Sequence, residues 1–243
     1  MDYGLVAAVA GAVGAVGAAA FLGGVTGFGY GLLASPLLLA LGLPLPTVVL
    51  LNLTLGMVTR ITVVVRLRAY VTRRAWLLVA GSVPGYAAGA ALLGSVNTRW
   101  LKVTAGALVV GLALVQLVPR LPRLRVSTAQ CVTAGAVGGT LGATTSLNGV
   151  VPAMLFGQAD TPPRRFIADL ALYFVASNAV GLAATSLAGV PAPHLWTYFA
   201  PLLPVSIAAN AVGVSLAPRL PARTFRAITL AVSVGSGLTA ILT

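Results

Sequence analysis

Side chains that could carry out covalent or acid–base chemistry are scarce in this sequence of 243 residues. The acidic residues are Asp2, Asp160 and Asp169, and the chain has one cysteine, Cys131, and one histidine, His194. A nucleophile, an acid–base pair or a metal site needs several such groups close together, and these five show no convincing spacing. We therefore expect no catalytic residue, no metal site and no cofactor, and the protein is predicted not to be an enzyme.

A glycine-rich stretch is the first feature that could bind a ligand. Four glycines fall within residues 24–31, and Pro36 follows them. Each glycine would weaken a soluble helix by about 1 kcal/mol relative to alanine. In a membrane, glycines permit either close helix packing or an unwound segment whose N–H groups are free to bind. Both interpretations stay open, and the second makes candidate substrate-binding residues of Gly27, Gly29, Gly31 and Ser35.

A second stretch, from Gly138 to Pro152, has hydroxyl and amide side chains where the first has glycines. Such uncharged donors suit an anion or polar solute that must be held and then released. The alternative is that each hydroxyl bonds to the carbonyl one turn back, as is common in membrane helices. The candidates from this stretch are Thr144, Thr145, Ser146 and Asn148.

Arg60 lies well inside an apolar segment, where an arginine costs about 2.5–3.5 kcal/mol on insertion scales. It either attracts an anion or extends to the lipid headgroups. Asn178, near the middle of a later segment, is a further candidate for lining a cavity. Asp169 lies one turn after Arg165, and we expect the two to form an ion pair at the membrane edge; a proton-relay carboxylate is the alternative.

Composition predicts an all-α, polytopic membrane protein. The chain is 58% hydrophobic and 7% charged, with a mean hydropathy of +1.01, whereas soluble domains carry about a quarter charged residues. About 20 apolar residues span a bilayer as a helix. Ten apolar segments, of which 8–10 are expected to cross, lie at about 4–23, 27–42, 46–65, 75–95, 100–118, 128–147, 149–158, 164–187, 194–216 and 223–242.

The ten segments read as two repeats, 1–125 and 126–243, of five segments each. The second segment of each repeat is short and contains a proline, Pro36 or Pro152, which predicts a broken or re-entrant helix. Basic residues cluster in different loops of the two repeats. If every segment crosses, equivalent loops face opposite sides and the repeats are inverted, which the charge pattern favours. If the short segments re-enter instead, each repeat has four spans and the repeats are parallel. The clusters predicted to face the cytoplasm are Arg66/Arg68/Arg73/Arg74, Arg120/Arg123/Arg125, Arg164/Arg165 and Arg219/Arg223/Arg226.

The first glycine-rich stretch and its surroundings resemble the sulfite exporter TauE/SafE family of membrane permeases. The resemblance rests on Gly-Phe-Gly-Tyr-Gly-Leu-Leu-Ala-Ser-Pro-Leu-Leu-Leu from Gly27 to Leu39, on Leu41-Gly42-Leu43-Pro44, and on Asn52-Leu53-Thr54. It covers nearly the whole chain in order, length and two-halved layout. It implies movement of sulfite, sulfonates or related organic anions, and it adds Asn52 to the candidate substrate-binding residues.

These features together predict a secondary transporter of a small anion, a sulfur oxyanion or organosulfonate, working by alternating access. No Walker motif is present, so ATP is not the direct energy source. The expected partners are the lipid bilayer of the cell membrane and a small anionic substrate, with no nucleic acid; homo-oligomerisation is left open. The alternatives are a non-transporting membrane scaffold or assembly factor and, with less support from the residues, a membrane enzyme.

Overall fold

The computed structural model describes residues 3–95, 103, 107, 126–158, 161–191 and 194–216. This part of the chain is helical and contains no strand, as predicted. Apart from residues 103 and 107, the predicted segments at 100–118 and 223–242 fall outside the described residues, as do the arginine clusters at 120–125 and 219–226. The helices are α1 (Tyr3–Thr26), α2 (Tyr30–Ala40), α3 (Leu45–Leu67), α4 (Arg73–Ser95), α5 (Thr128–Thr145), α6 (Val150–Gln158), α7 (Pro163–Leu187) and α8 (Leu195–Leu216).

Five of the described helices are long and apolar enough to cross a membrane. A lipid environment leaves backbone groups no water to bond, so a spanning segment must satisfy them internally, which a helix does. The prediction of a polytopic helical membrane protein is confirmed. The candidate spans are Ala8–Thr26, Leu45–Tyr70, Arg73–Leu92, Arg164–Leu187 and Leu195–Leu216.

Two helices, α2 and α6, are too short to cross. They have 11 and 9 residues, about 16 and 14 Å at 1.5 Å per residue, against a hydrocarbon core of about 30 Å. Each follows a longer helix across a break of a few residues. Both breaks begin with a left-handed residue, Gly27 at φ 86° and Ser146 at φ 64°. The predicted pair of broken elements is therefore present.

The helices pack in an exchanged pattern between the two parts of the chain. The most extensive contacts pair α4 with α5 and α1 with α8, while α3 packs on α7 between them. The first helix of each proposed repeat thus lies against the fourth helix of the other. This exchange fits a duplicated layout, although the repeat boundary at residue 125 and the inverted orientation of the repeats stay predictions.

Glycines form the seam between α4 and α5. A Cβ added at Gly81 or Gly85 would meet the carbonyl oxygen of Val132 or Ala136 on α5, and a Cβ at Gly135 would meet that of Leu78 on α4. Small residues spaced four apart let two membrane helices approach to backbone contact. The α4–α5 pair is therefore closely packed along its length.

A second glycine seam joins α1 to α8. A Cβ at Gly24 would meet the Asn210 carbonyl, and a Cβ at Gly213 would meet the Phe21 carbonyl. Asn210 of α8 also donates from Nδ2 to the Thr59 carbonyl of α3 at 3.3 Å. Gly24 is thus a packing glycine.

The predicted ion pair between Arg165 and Asp169 is not what holds the Asp169 carboxylate. Asp169 is 1% exposed, and its two oxygens accept from the Thr72 backbone N–H at 2.6 Å and the Thr72 hydroxyl at 2.7 Å. Thr72 directly precedes α4, where helix N–H groups lack intrahelical partners and favour a negative charge. Asp169 therefore ties α7 to the start of α4, whereas Arg165 is exposed.

Candidate functional site

A small cavity lies where the two helix breaks meet. Its volume is about 30 Å³, room for about two water molecules. Residues of both breaks line it, together with residues of the central helices α3 and α7. The lining residues are Phe28, Tyr30, Gly31, Leu32, Asn52, Leu53, Gly56, Arg60, Ser146, Leu147, Asn148, Gly149, Val150, Phe174 and Asn178.

The first break places the N-terminus of α2 at the cavity. The Gly29 N–H donates to the Thr26 hydroxyl at 2.9 Å, which closes the turn after α1. No side chain caps α2, and the first N–H groups of an α-helix have no intrahelical partner. Tyr30, Gly31 and Leu32, which line the cavity, supply those N–H groups. This end of α2 carries a partial positive charge.

The second break is built differently but places the start of α6 at the same cavity. The Ser146 N–H donates to the Gly142 carbonyl at 3.1 Å, and the Leu147 N–H donates to the Leu141 carbonyl at 3.3 Å. The Ser146 bond is that of the αL motif, which ends many helices, with serine in the left-handed position where glycine is usual. A non-glycine residue there is strained and marks a place to look for function.

The two breaks touch each other directly. A Cβ at Gly31 would meet the Ser146 carbonyl oxygen. The Ser35 hydroxyl of α2 donates to the Thr145 carbonyl at 2.9 Å, and Asn52 of α3 donates from Nδ2 to Ser35 Oγ at 3.0 Å. Ser35 thus joins α2, α3 and the end of α5 beside the cavity.

Arg60 brings a full positive charge to the cavity. Its side chain is 5% exposed, Nη2 donates to the Gly23 carbonyl at 2.6 Å, and the guanidinium lies 5.9 Å from the ring centroid of Phe174. Extension to the lipid headgroups is therefore excluded for this conformation. Among the described residues that line the cavity, Arg60 carries the one charged side chain.

A buried amide network supports the second break. Asn148 donates from Nδ2 to Asn178 Oδ1 at 2.6 Å and to the Tyr86 hydroxyl at 3.1 Å. The Tyr173 hydroxyl donates to the Asn148 carbonyl at 3.3 Å. Sequence reasoning missed Tyr86 and Tyr173, both fully buried. A tyrosine in the middle of a membrane segment was the available signal, because its hydroxyl needs a partner there.

Three polar atoms of cavity-lining residues have no hydrogen-bond partner within the described part of the chain. They are Tyr30 Oη, Asn52 Oδ1 and Ser146 Oγ, and each belongs to a buried residue that lines the cavity. Buried polar groups are nearly always paired, so such a group calls for an explanation. A cluster of three at one cavity is what a site for a polar ligand leaves when the ligand is absent.

The structure brings together about half of the residues predicted to bind substrate. Those that line the cavity are Gly31, Asn52, Arg60, Ser146, Asn148 and Asn178. Those that do not line it are Gly27, Gly29, Ser35, Thr144 and Thr145. Gly27 provides the left-handed turn, Gly29 begins α2, and Ser35 acts through Asn52.

The hydroxyls of Thr144 and Thr145 follow the alternative interpretation. They donate to the Thr140 and Leu141 carbonyls at 2.8 and 2.9 Å, one turn back along α5.

Across the described residues, no three His, Cys, Asp or Glu side chains lie close enough together to bind one metal ion. The polar lining of the cavity therefore consists of amides, hydroxyls, free N–H groups and one guanidinium.

The fold and this cavity define a class: a helical membrane protein in which two broken helices point their N-termini at a buried polar cavity that is also lined by a buried arginine, Arg60. The model of the sulfite exporter TauE/SafE family matches residues 10–240, nearly the whole chain, and the chain belongs to that family. The family is one of membrane transporters. No curated protein and no solved structure matches the chain significantly.

Proposed function

We propose that this protein is a secondary transporter that moves a small sulfur oxyanion or organosulfonate across the cell membrane by alternating access. One observation carries the proposal: the N-termini of α2 and α6 and the buried Arg60 all face one cavity that contains unpartnered polar atoms. Helix N-termini attract anions through their free N–H groups and the helix dipole. Broken helices that meet in this way form the substrate sites of many secondary transporters.

The anion would be held by donors of different strength. Arg60 supplies the full charge, and the first N–H groups of α2 and α6 supply uncharged donors. The hydroxyls of Ser146 and Tyr30 can rotate to complete the shell, because a hydroxyl either donates or accepts. An oxyanion that enters the cavity exchanges its hydrating water for these donors. Because Arg60 is the one full positive charge among the described residues that supply them, the anion can be released as well as bound.

The packing suggests which bodies move. Backbone contact along the glycine seams makes α4–α5 and α1–α8 two tight pairs, and each pair draws one helix from each proposed repeat. Rocking of one complete repeat against the other would separate both seams. We propose instead that the two pairs move relative to each other, with the breaks at residues 27–29 and 146–149 as hinges.

Flux measurement in proteoliposomes tests the proposal. Purified protein should give saturable sulfite flux above that of protein-free vesicles, and Ser146→Ala should reduce it at equal protein content. Thermal-shift assays with sulfite, sulfate, thiosulfate and sulfoacetate would rank the anions, because at equal concentration a ligand that binds more tightly stabilises the folded protein more. Absence of flux together with a stable protein partner would point to a scaffold or assembly factor.

A further inference from the structure

We infer that the cavity selects the protonated form of a small oxyanion, hydrogensulfite rather than fully deprotonated sulfite. The inference rests on the proposed anion site and adds to it the protonation state of the ligand, which favours the oxyanion over an organosulfonate, since a sulfonate has no proton to donate. It follows from one acceptor atom, Asn52 Oδ1, a buried and unpartnered atom of a residue that lines the cavity, whose other polar groups mostly donate.

The orientation of the Asn52 amide is determined by its neighbours. The Ser35 hydroxyl gives its proton to the Thr145 carbonyl at 2.9 Å. Ser35 Oγ can therefore only accept from Asn52, and the atom 3.0 Å away must be Nδ2. The carbonyl oxygen of the amide is left on the other side, buried and without a partner in the described residues, in a side chain that lines the cavity.

A deprotonated oxyanion does not suit this acceptor. Arg60 and the free N–H groups only donate, and the Tyr30 and Ser146 hydroxyls can also donate, so these groups suit the oxygens of an anion. Asn52 Oδ1 only accepts, and a ligand without a proton would leave it unpaired and facing negative charge. A ligand with one proton to donate satisfies it.

Charge points the same way. Among the described residues that line the cavity, the guanidinium of Arg60 supplies the one full positive charge. The two helix N-termini add only partial charges. A singly charged anion is matched by Arg60 alone, whereas a doubly charged one would keep a full negative charge offset only by dipoles. A site built around a hydrogen bond also rejects analogues that lack it more strongly than an apolar pocket rejects a change in size.

The test compares two probes, sulfite and methanesulfonate, on the purified protein across a pH series. Methanesulfonate carries one negative charge but has no proton to donate and does not titrate in the neutral range. Apparent affinity for total sulfite should fall by about tenfold per pH unit above the ionisation of hydrogensulfite, the slope of one bound proton. Methanesulfonate should bind at least about tenfold more weakly than hydrogensulfite, with no pH dependence.

Two variants locate the effect. Asn52→Leu removes the acceptor and should bring the two probes to within about twofold of each other. Thr54→Val, on the same helix but outside the cavity, should keep the wild-type preference, because the Thr54 hydroxyl only bonds back to the Leu50 carbonyl. If Asn52→Leu does not fold, Ser35→Ala replaces it: this variant releases the amide to turn its Nδ2 toward the cavity, and the preference should shrink.

The outcomes separate this inference from the proposed function. Equal binding of both probes, with a flat pH profile for sulfite, would overturn the selection of a protonated ligand and leave the anion site standing. A preference that persists unchanged in Asn52→Leu, or in its replacement, would also overturn it. Failure of both probes to bind at any pH would instead count against the proposed function itself.

Discussion

Arg60 donates a hydrogen bond from Nη2 to the carbonyl oxygen of Gly23 at 2.6 Å. Gly23 lies in the last turn of α1, where the helix dipole attracts a cation, and its carbonyl also accepts from the Gly27 N–H at 2.9 Å. The bond joins the centre of α3 to the helix end that leads into the first break. It also directs the guanidinium to the cavity, so a single contact gives Arg60 both a structural role and a position for binding an anion.

Replacement of Arg60 by glutamine should therefore weaken anion binding. Loss of a charged hydrogen bond costs about 1.5–3 kcal/mol, which is about a 10- to 100-fold rise in Kd for sulfite. Arg60→Lys keeps the charge without the planar guanidinium, so its Kd should lie between those of the wild type and Arg60→Gln. Isothermal titration of the purified variants measures this directly.

Arg66→Gln is the matched control, because Arg66 lies on the same helix but is exposed. It removes the same charge from α3 without touching the cavity, so its Kd should equal that of the wild type. An Arg60→Gln protein that folds and binds sulfite with unchanged affinity would reduce Arg60 to its structural contact with Gly23.

Ser146 and Thr145 should respond differently to loss of their hydroxyls. Ser146 lines the cavity and its Oγ has no partner among the described residues, whereas the Thr145 hydroxyl is already bonded to the Leu141 carbonyl. Ser146→Ala should raise Kd by about fivefold, the worth of one hydrogen bond of about 1 kcal/mol, while Thr145→Val should leave Kd unchanged. From the sequence alone, Thr145→Val is predicted to weaken binding, and a titration of both variants decides between the two predictions.

Gly31 and Gly85 should lose stability when replaced by alanine. The added methyl would meet the Ser146 carbonyl in the first case and the Ala136 carbonyl in the second. Overpacking of this kind costs about 1–3 kcal/mol, so the melting temperature in detergent should fall for both variants. Only Gly31→Ala should also lower sulfite affinity per folded molecule, because Gly31 lines the cavity.

Gly14→Ala serves as the control for these glycine variants. An added Cβ at Gly14 meets nothing within 4 Å, and alanine is the better helix former by about 1 kcal/mol. Its melting temperature should stay the same or rise. A Gly85→Ala protein as stable as the wild type would show that α4 and α5 are not in backbone contact at this position.

Asp169 should act as an anchor and not as a proton relay. Asp169→Asn leaves the Thr72 N–H and hydroxyl with a single acceptor oxygen and removes a charge, so thermal stability should fall by about 1.5–3 kcal/mol. Thr72→Val, which removes only the hydroxyl, should cost less. Neither variant should change the Kd for sulfite, since Asp169 does not line the cavity. A relay would show the reverse pattern: normal stability, normal binding and flux that no longer responds to a pH gradient.

Much of the fold follows from the sequence because bilayer physics is simple. Long apolar segments can only be helices in lipid, and the bounds expected for α3 and α7 agree with the structure to within about two residues at each end. Glycine and proline also mark the two breaks. Helix pairing could not be predicted in the same way, because it depends on which glycine face meets which partner, and glycines occur on most faces of these helices.

The site was harder to predict than the fold. Position in an apolar segment singled out Arg60 and Asn178, since such residues are costly in lipid and need a reason to be there, and the family resemblance added Asn52. It could not distinguish Ser146 from Thr145, because one residue of helix rotation decides whether a hydroxyl bonds back to its own helix or faces the cavity. The partner of Asp169 was predicted wrongly for a related reason. Thr72 is 97 residues away in sequence, and local spacing pointed to Arg165 instead.

Anomalous scattering from a selenium oxyanion can show whether an oxyanion binds between the two breaks. Crystals of the protein grown with selenite, a heavier analogue of sulfite, would show the ligand as a selenium peak. We expect one strong peak in the cavity, within hydrogen-bond reach of Arg60 and Ser146, that disappears in crystals of Arg60→Gln. An empty cavity with selenium bound only at the exposed arginines Arg66, Arg73 and Arg74 would contradict it.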